Sequence, residues 1–253
     1  MIKKFAIIGF GEHASRNILP SIEKIKNIEL AAFQSRSKKN ILHKKVKFFR
    51  SITKMLDEVE IDFAYISSPN SFHADAIKEC YKRGIHVICE KSLFINGQDY
   101  KKLIIQNKIK IFEAFMYRYH PVYKEVKKII KDGHLGHINS MDVNFFIPHL
   151  NKENIRYSPD LGGGALYDLG AYTINTALSL FKNTKLKSCE LFYEDSFDVD
   201  TSGEAIFECN QTKIHCKWGF GFEYQNNVIL KTSANKIIIN RFFSKDLRED
   251  NCH

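Results

Sequence analysis

Lys3-Lys4-Phe5-Ala6-Ile7-Ile8-Gly9-Phe10-Gly11-Glu12-His13-Ala14 decides how the rest of the chain is read. The apolar run before Gly9 has the length of a buried strand and is too short for a helix. Gly9, Gly11 and Ala14 follow in the spacing G-x-G-x-x-A. At a strand-to-helix turn this spacing suits a dinucleotide: Gly9 makes the tight turn, Gly11 lets the backbone approach a pyrophosphate, and Ala14 packs helix closely on strand. The helix start would present N–H groups and its dipole to the phosphates, with Phe10, Glu12 and His13 completing the loop. A secretory leader would need a longer apolar core and a small-residue cleavage site, so this stretch reads as a first strand.

Strands and helices alternate after it. Strands are expected over Ile28 to Phe33, Lys45 to Phe49, Asp62 to Ser67, Ile85 to Cys89 and Lys110 to Ala114, with helices near Ile52 to Val59, Phe72 to Arg83 and Gly97 to Asn107. Such alternation builds right-handed βαβ units and a parallel sheet. The expected fold is therefore α/β, a Rossmann doubly wound domain of six strands over residues 1–118. In open α/β sheets ligands lie beyond the carboxyl ends of the strands, which draws attention to Glu90 and Lys91 at the end of the fifth. Ser68, Pro69, Asn70 and His73 follow another strand end, where Asn70 and His73 either border a bound cofactor's nicotinamide ribose or merely form a turn and a helix surface. The second strand ends in Gln34-Ser35-Arg36-Ser37-Lys38 without an acidic residue for the ribose hydroxyls. Ser35, Arg36 and Lys38 instead suit a 2′-phosphate, so NADP(H) is expected as cofactor ahead of NAD(H).

Residues 119–253 follow another pattern. A helix near Val122 to Lys131 precedes a strand at Ile138 to Ile147 and the glycine-rich stretch Gly162 to Asn175. Asp168 and Tyr172, four apart, would share one face near the start of a helix. Later segments near Leu186 to Tyr193, Gly203 to Cys209, Lys213 to Gly219, Asn227 to Leu230 and Lys236 to Asn240 alternate like antiparallel strands. An α+β domain with an open, mostly antiparallel sheet is expected, serving substrate binding and oligomerisation.

Composition excludes several classes. No apolar run reaches membrane-spanning length. The formal net charge of +9 comes from dispersed lysines without a basic block interleaved with aromatics, which favours anionic small molecules over nucleic acid. The cysteines at 80, 89, 189, 209, 216 and 252 include no Cys-x-x-Cys pair and no histidines at zinc spacing, so no metal site is expected and a reducing cytoplasm is.

The glycine loop, Ser68-Pro69-Asn70 with His73, Gly84 to Lys91, Glu113-Ala-Phe-Met-Tyr-Arg-Tyr-His-Pro121 and Gly162 to Asn175 together resemble the Gfo/Idh/MocA family. Asn154-Ile155-Arg156, Arg118-Tyr119-His120-Pro121 and the late Tyr224-Gln225-Asn226 and Asn240-Arg241-Phe242-Phe243 are most similar to its branch of glucose-fructose oxidoreductase, dihydrodiol dehydrogenase and nucleotide-sugar ketoreductases. The resemblance implies hydride transfer between NADP(H) and a hydroxyl or keto carbon of a sugar, foremost a nucleotide-linked deoxysugar, with dihydrodiol, free-sugar or inositol oxidation as the alternative. It assigns Lys91 to the nicotinamide and the reacting oxygen, Tyr172 to acid/base chemistry, and Asp168 to orienting the lysine or a substrate hydroxyl. Glu90 would help arrange the cofactor, though strand alternation should point it away from Lys91. Arg118, Arg156 and Tyr157 would meet the substrate, and the exposed face of the second-domain sheet suggests a homodimer or higher homo-oligomer. Two departures stand out: Ser92 replaces the proline that usually follows the Glu-Lys pair, and the chain ends in a polar stretch after Ser244 where the family continues. The second keeps a catalytically silent relative as a further reading.

Overall fold

The computed structural model describes residues 2–37, 46–104, 109–133 and 135–244. Lys38, Lys45, the end of the expected 97–107 helix and the stretch after Ser244 lie outside them. The chain divides into two units, Met1–Ala114 and Phe115–His253, a few residues ahead of the Arg118 boundary read from the sequence.

The first unit holds six parallel strands: β1 (Lys3–Ile8), β2 (Ile28–Gln34), β3 (Lys47–Phe49), β4 (Phe63–Ile66), β5 (His86–Cys89) and β6 (Ile111–Glu113). Their order β3-β2-β1-β4-β5-β6 is that of the doubly wound dinucleotide fold, with its topological switch between β1 and β4. Residues 12–23 are helical, with a wide π turn at Ala14–Ile18 before α1 (Leu19–Glu23). Three further helices, α2 (Ile52–Glu58), α3 (His73–Lys82) and α4 (Gly97–Ile104), return the chain between later strands. Apolar side chains on both faces of the sheet form two clusters, one around Ala6, Ile8, Ile66 and Ile77 and the other around Phe5, Ile7, Phe10 and Phe33. Both faces are covered, so the strands read as nearly continuous apolar runs. The register pairs Ile8 with Ile66, Ile66 with Cys89 and Cys89 with Glu113. Gly9, Ser67 and Glu90 therefore leave the sheet along one edge.

The second unit begins with α5 (Pro121–Asp132), which starts at Pro121 with the His120 ring accepting from Val122 N at 3.2 Å and ends at Gly133 in the left-handed region. Its sheet contains β7 (Ile138–Ile147), β8 (Lys185–Tyr193), β9 (Asp200–Cys209), β10 (Thr212–Phe220), β11 (Gln225–Thr232) and β12 (Lys236–Asn240), ordered β12-β11-β7-β10-β9-β8. The β7–β10 pair is parallel and the others are antiparallel. Alternate residues Met141, Val143, Ile214, Cys216, Trp218 and Phe220 point into a core that also takes Tyr123 and Val126 of α5. Ala177 and Leu180 of α6 (Ala171–Leu180) complete it.

Candidate active site

Gly9 is held at φ +81°, and a Cβ there would stand 2.5 Å from Ser68 N. Only glycine lets the loop after β1 close against the loop after β4. A Cβ on Gly11 would meet nothing nearer than Gly9 O at 3.8 Å, so the space over the helix start stays open. The Ser68 Oγ beside this turn is buried without a hydrogen-bond partner among the described residues. An open glycine turn, the N–H groups of a starting helix and an orphaned hydroxyl fit a dinucleotide phosphate.

Gln34 fixes the loop from the other side. Its backbone carbonyl accepts from Phe10 N at 2.8 Å, its Oε1 accepts from Gly9 N at 3.1 Å, and its Nε2 donates to the Arg50 carbonyl at 3.1 Å. Beyond it Ser35 is buried, with its N–H donating to Phe49 O, while Arg36 is exposed. Phe10, expected at the cofactor, places its ring in the core against Phe33, with centroids 5.0 Å apart. Glu12 pairs with Arg16 on the surface.

Glu90 lies on β5's end with its Oε1 accepting from the Tyr65 hydroxyl and 3.0 Å from His13 Nε2, while His13 Nδ1 lies 3.1 Å from Asn17. Burial raises the Glu90 carboxyl, but the bonds from His13 and Tyr65 outweigh it and hold it below its ordinary value. The carboxylate thus ties the glycine loop, β4 and the segment leading to Lys91. Lys91 itself is half-buried, its peptide bond to Ser92 is cis, and Glu113 Oε1 accepts from Leu93 N at 2.7 Å just beyond.

His73 departs from its expected place at a ribose. It is fully buried, with Nδ1 2.8 Å from Ser92 O and Nε2 2.9 Å from Ser68 O, and burial pushes its pKa below the usual histidine value. It braces the loop after Lys91 to the loop that closes on Gly9. Pro69 and Asn70 open the 3₁₀ turn Asn70–Phe72 that leads into α3.

In the second unit Asp168 sits in a π turn, Leu166–Gly170, that precedes α6, so the simple four-residue spacing to Tyr172 does not apply. A π turn carries more residues per turn than an α-helix. Arg156 Nε donates to Asp168 Oδ2 at 2.6 Å, an ion pair whose carboxylate is 13% exposed. Asp200 holds the start of this turn: its Oδ2 accepts from Leu166 N at 2.7 Å, and Gly164 at φ +112° leaves room for that carboxylate. Burial raises the Asp200 carboxyl. The half-buried Tyr172 packs its ring among Phe115, Phe145, Phe243 and Tyr117, with centroids 5.5–5.9 Å away. Arg118 is exposed on the 3₁₀ turn Met116–Tyr119. Tyr157 departs from its expected place at the substrate. It is 6% exposed, its ring stacks on Phe197 at 4.0 Å, and its hydroxyl accepts from Leu150 N at 3.2 Å.

Sequence reasoning missed Gln34, Tyr65 and Glu113 as braces. Only Glu113 left a signal, a carboxylate ending an otherwise apolar strand.

Residues 3–108 match the family described as "Oxidoreductase family, NAD-binding Rossmann fold", and residues 123–237 match "GFO/IDH/MocA C-terminal domain". A dTDP-3,4-didehydro-2,6-dideoxy-alpha-D-glucose 3-reductase of Actinomadura kijaniata is 29% identical over 95% of this chain and 75% of its own length. The trans-1,2-dihydrobenzene-1,2-diol dehydrogenase of Xenopus laevis is 28% identical over 67% of this chain and 52% of its own. A crystal structure of a 3-ketoreductase from Actinomadura kijaniata in complex with NADP and TDP-benzene superposes with a TM-score of 0.89 at 27% identity, covering 96% of this chain and 78% of that one. With both halves of the chain matched in order, and with the parallel and mixed sheets that the resemblance implied, this chain belongs to the Gfo/Idh/MocA family of oxidoreductases.

Proposed function

We propose that this protein is an NADP(H)-dependent oxidoreductase that reduces a keto carbon of a nucleotide-linked deoxysugar. The observation that carries the reading is the likeness to the 3-reductase over 95% of the chain, far longer than the likeness to the diol dehydrogenase. Exposed Arg36 beyond the end of β2, where no carboxylate stands, supports the phosphorylated cofactor.

When bound, a nicotinamide nucleotide would supply the hydride for reduction of the carbonyl carbon. The first-turn N–H groups at residues 11–13 and the Ser68 hydroxyl would hold its phosphates, and Arg36 would pair with the 2′-phosphate. The Lys91 ammonium stabilises the negative charge that develops on the carbonyl oxygen. Tyr172, whose ring is held among Phe115, Phe145 and Phe243, gives its phenol proton to the substrate oxygen. Asp168 fixes the Arg156 guanidinium, and Arg156 with Arg118 attracts the substrate diphosphate, helped by the chain's net charge of +9. Free thiols at Cys80, Cys89, Cys189, Cys209 and Cys216 suit a reducing cytoplasm. Exposed Leu186, Phe192, Tyr193 and Ile238 on the second sheet suit a homo-oligomer, which light scattering showing only monomer would refute.

The test is a titration of the purified chain with NADPH and NADH, followed by NADPH oxidation with dTDP-3,4-didehydro-2,6-dideoxy-α-D-glucose as substrate. Tighter NADPH binding, a ligand-dependent rise in melting temperature and turnover of the ketosugar are expected. Preference for NADH would overturn the cofactor assignment, and turnover of dihydrodiols or free sugars but not the ketosugar would overturn the substrate assignment.

A further inference from the structure

The segment Phe115-Met116-Tyr117-Arg118-Tyr119 contributes a buried polar group that the proposed chemistry does not use. Tyr117 is 3% exposed. Its hydroxyl donates to Asn175 Oδ1 at 2.7 Å and faces Thr176 Oγ1 at 3.0 Å. Thr176 Oγ1 in turn lies 2.9 Å from the carbonyl oxygen of Tyr172, one helical turn earlier. The Tyr117 ring also faces the Tyr172 ring at 5.9 Å and contacts Phe243 at 5.2 Å, itself a neighbour of Tyr172. One side chain therefore touches Tyr172 through its ring and grips, through its hydroxyl, the turn of α6 that follows Tyr172.

We propose that Tyr117 is a positioning residue for Tyr172, setting the height and tilt of α6's first turn so that the Tyr172 phenol is presented in one orientation. The proposal rests on the reading of Tyr172 as proton donor. Physical chemistry favours a tyrosine for the task. A phenol both donates and accepts, so it can serve the Asn175 oxygen and the Thr176 hydroxyl together, and its stiff ring has two rotatable bonds to order. Burial pushes the Tyr117 phenol well above its ordinary value, so it stays neutral and keeps both roles across the working pH range. A purely packing residue would need the ring alone.

Tyr117→Phe keeps the ring and removes the hydroxyl, which makes it the discriminating variant. Turnover of dTDP-3,4-didehydro-2,6-dideoxy-α-D-glucose with NADPH is expected to fall about tenfold, with KM and the NADPH dissociation constant close to wild type, because misplacement of a reacting group acts on kcat. The melting temperature should fall by only about 4–8 °C, as expected for the two lost hydrogen bonds in a chain of this size. A second arm needs no substrate. With tyrosine Cζ isotopically labelled, the Tyr172 resonance, assigned through Tyr172→Phe, is followed against pH in the full chain. Tyr117→Phe should broaden that resonance and shift its titration.

Reduced kcat together with a changed Tyr172 titration supports the proposal. If Tyr172→Phe is inactive while Tyr117→Phe keeps wild-type kcat and an unchanged Tyr172 resonance, the positioning role is overturned and the proposed function stands. Wild-type turnover in Tyr172→Phe would remove the proton-donor reading, and with it the positioning role. Should the wild-type chain turn over no ketosugar, an unchanged Tyr172 resonance in Tyr117→Phe overturns the proposal by itself.

Discussion

The two units hold their candidate residues by different means. In the first unit the fixing contacts are made largely by backbone: Gly9 against Ser68, Gln34 against Gly9 and Arg50, His73 against the carbonyls of Ser68 and Ser92, and Glu113 against Leu93 N. In the second unit Tyr172 is surrounded by rings from Phe115, Tyr117, Phe145 and Phe243. A parallel sheet delivers its strand ends to one edge, so short loops can meet main chain to main chain. A mixed sheet with one covered face offers no such edge, and bulky side chains must define the position instead. Hydrogen bonds are directional and short, whereas ring packing tolerates small shifts but depends on volume. The first unit should therefore be sensitive to a single Cβ or proton, and the second to lost volume.

Phe243→Ala should have the largest effect. It removes a 5% exposed ring from the cluster around Tyr172, for which phenylalanine truncations cost about 3–5 kcal/mol. Calorimetry should show the second unit melting early, and intrinsic fluorescence can follow it because the chain's one tryptophan, Trp218, lies in that core. NADPH affinity should hardly change, and a loss of affinity equal to that of a Gly9 variant would break the comparison.

Gly9→Ala comes next, placing a Cβ at the 2.5 Å approach to Ser68 N with φ at +81°. Strain of this kind costs about 1–3 kcal/mol, and NADPH affinity should weaken by up to about 100-fold. Trp218 fluorescence should melt as in wild type.

Acid separates the units with opposite signs. Burial depresses His73 below its ordinary value of 6.5, and in spite of burial the bonds from His13 and Tyr65 depress Glu90 below 4.5. For both, the unfolded chain binds protons more readily, so their contribution is intact above those values and is lost as pH falls through the folded ones. Burial raises Asp200 above 3.8, so its penalty is present at neutral pH and is relieved as pH falls through its folded value towards 3.8. Hydrogen exchange between neutral pH and about pH 4 should accelerate in β4, β5 and α3 before Trp218 fluorescence changes. Simultaneous loosening of both units would remove this distinction.

Ser51→Ala is the smallest test. The Ser51 hydroxyl accepts from Lys54 N at 3.3 Å and caps α2, with no side-chain bond to the glycine loop among the described residues. A loss of about 1 kcal/mol and about 2–4 °C is expected, with cofactor affinity retained.

Much of the framework was legible from local pattern. Buried parallel strands reveal themselves as apolar runs bounded by turn residues, and the spacing of Gly9, Gly11 and Ala14 marks the first strand-to-helix turn whatever lies around it. Expected strands at Ile138–Ile147 and Lys236–Asn240 coincide with those formed, because alternate burial leaves a two-residue period. Not legible were the braces. His73 sits on a helix in polar company, and nothing nearby tells that carbonyls 5 and 19 residues away will face its two ring nitrogens. The π turn at Leu166–Gly170 was hidden for the same reason: Asp200, 34 residues later, holds its start.

By itself, then, the order of residues determined the two kinds of sheet, the dinucleotide turn and the set of polar residues from which a site is built, since each depends on periodicity or on the stereochemistry of a few consecutive positions. Tertiary structure alone decided which of those residues are buried and which partners they meet. It buried His73 and Tyr157, paired Asp168 with Arg156 and left Tyr172 half-exposed within a ring of aromatics. Burial and partnership are set by segments that meet only when the chain is folded, and a side chain's role follows from those meetings.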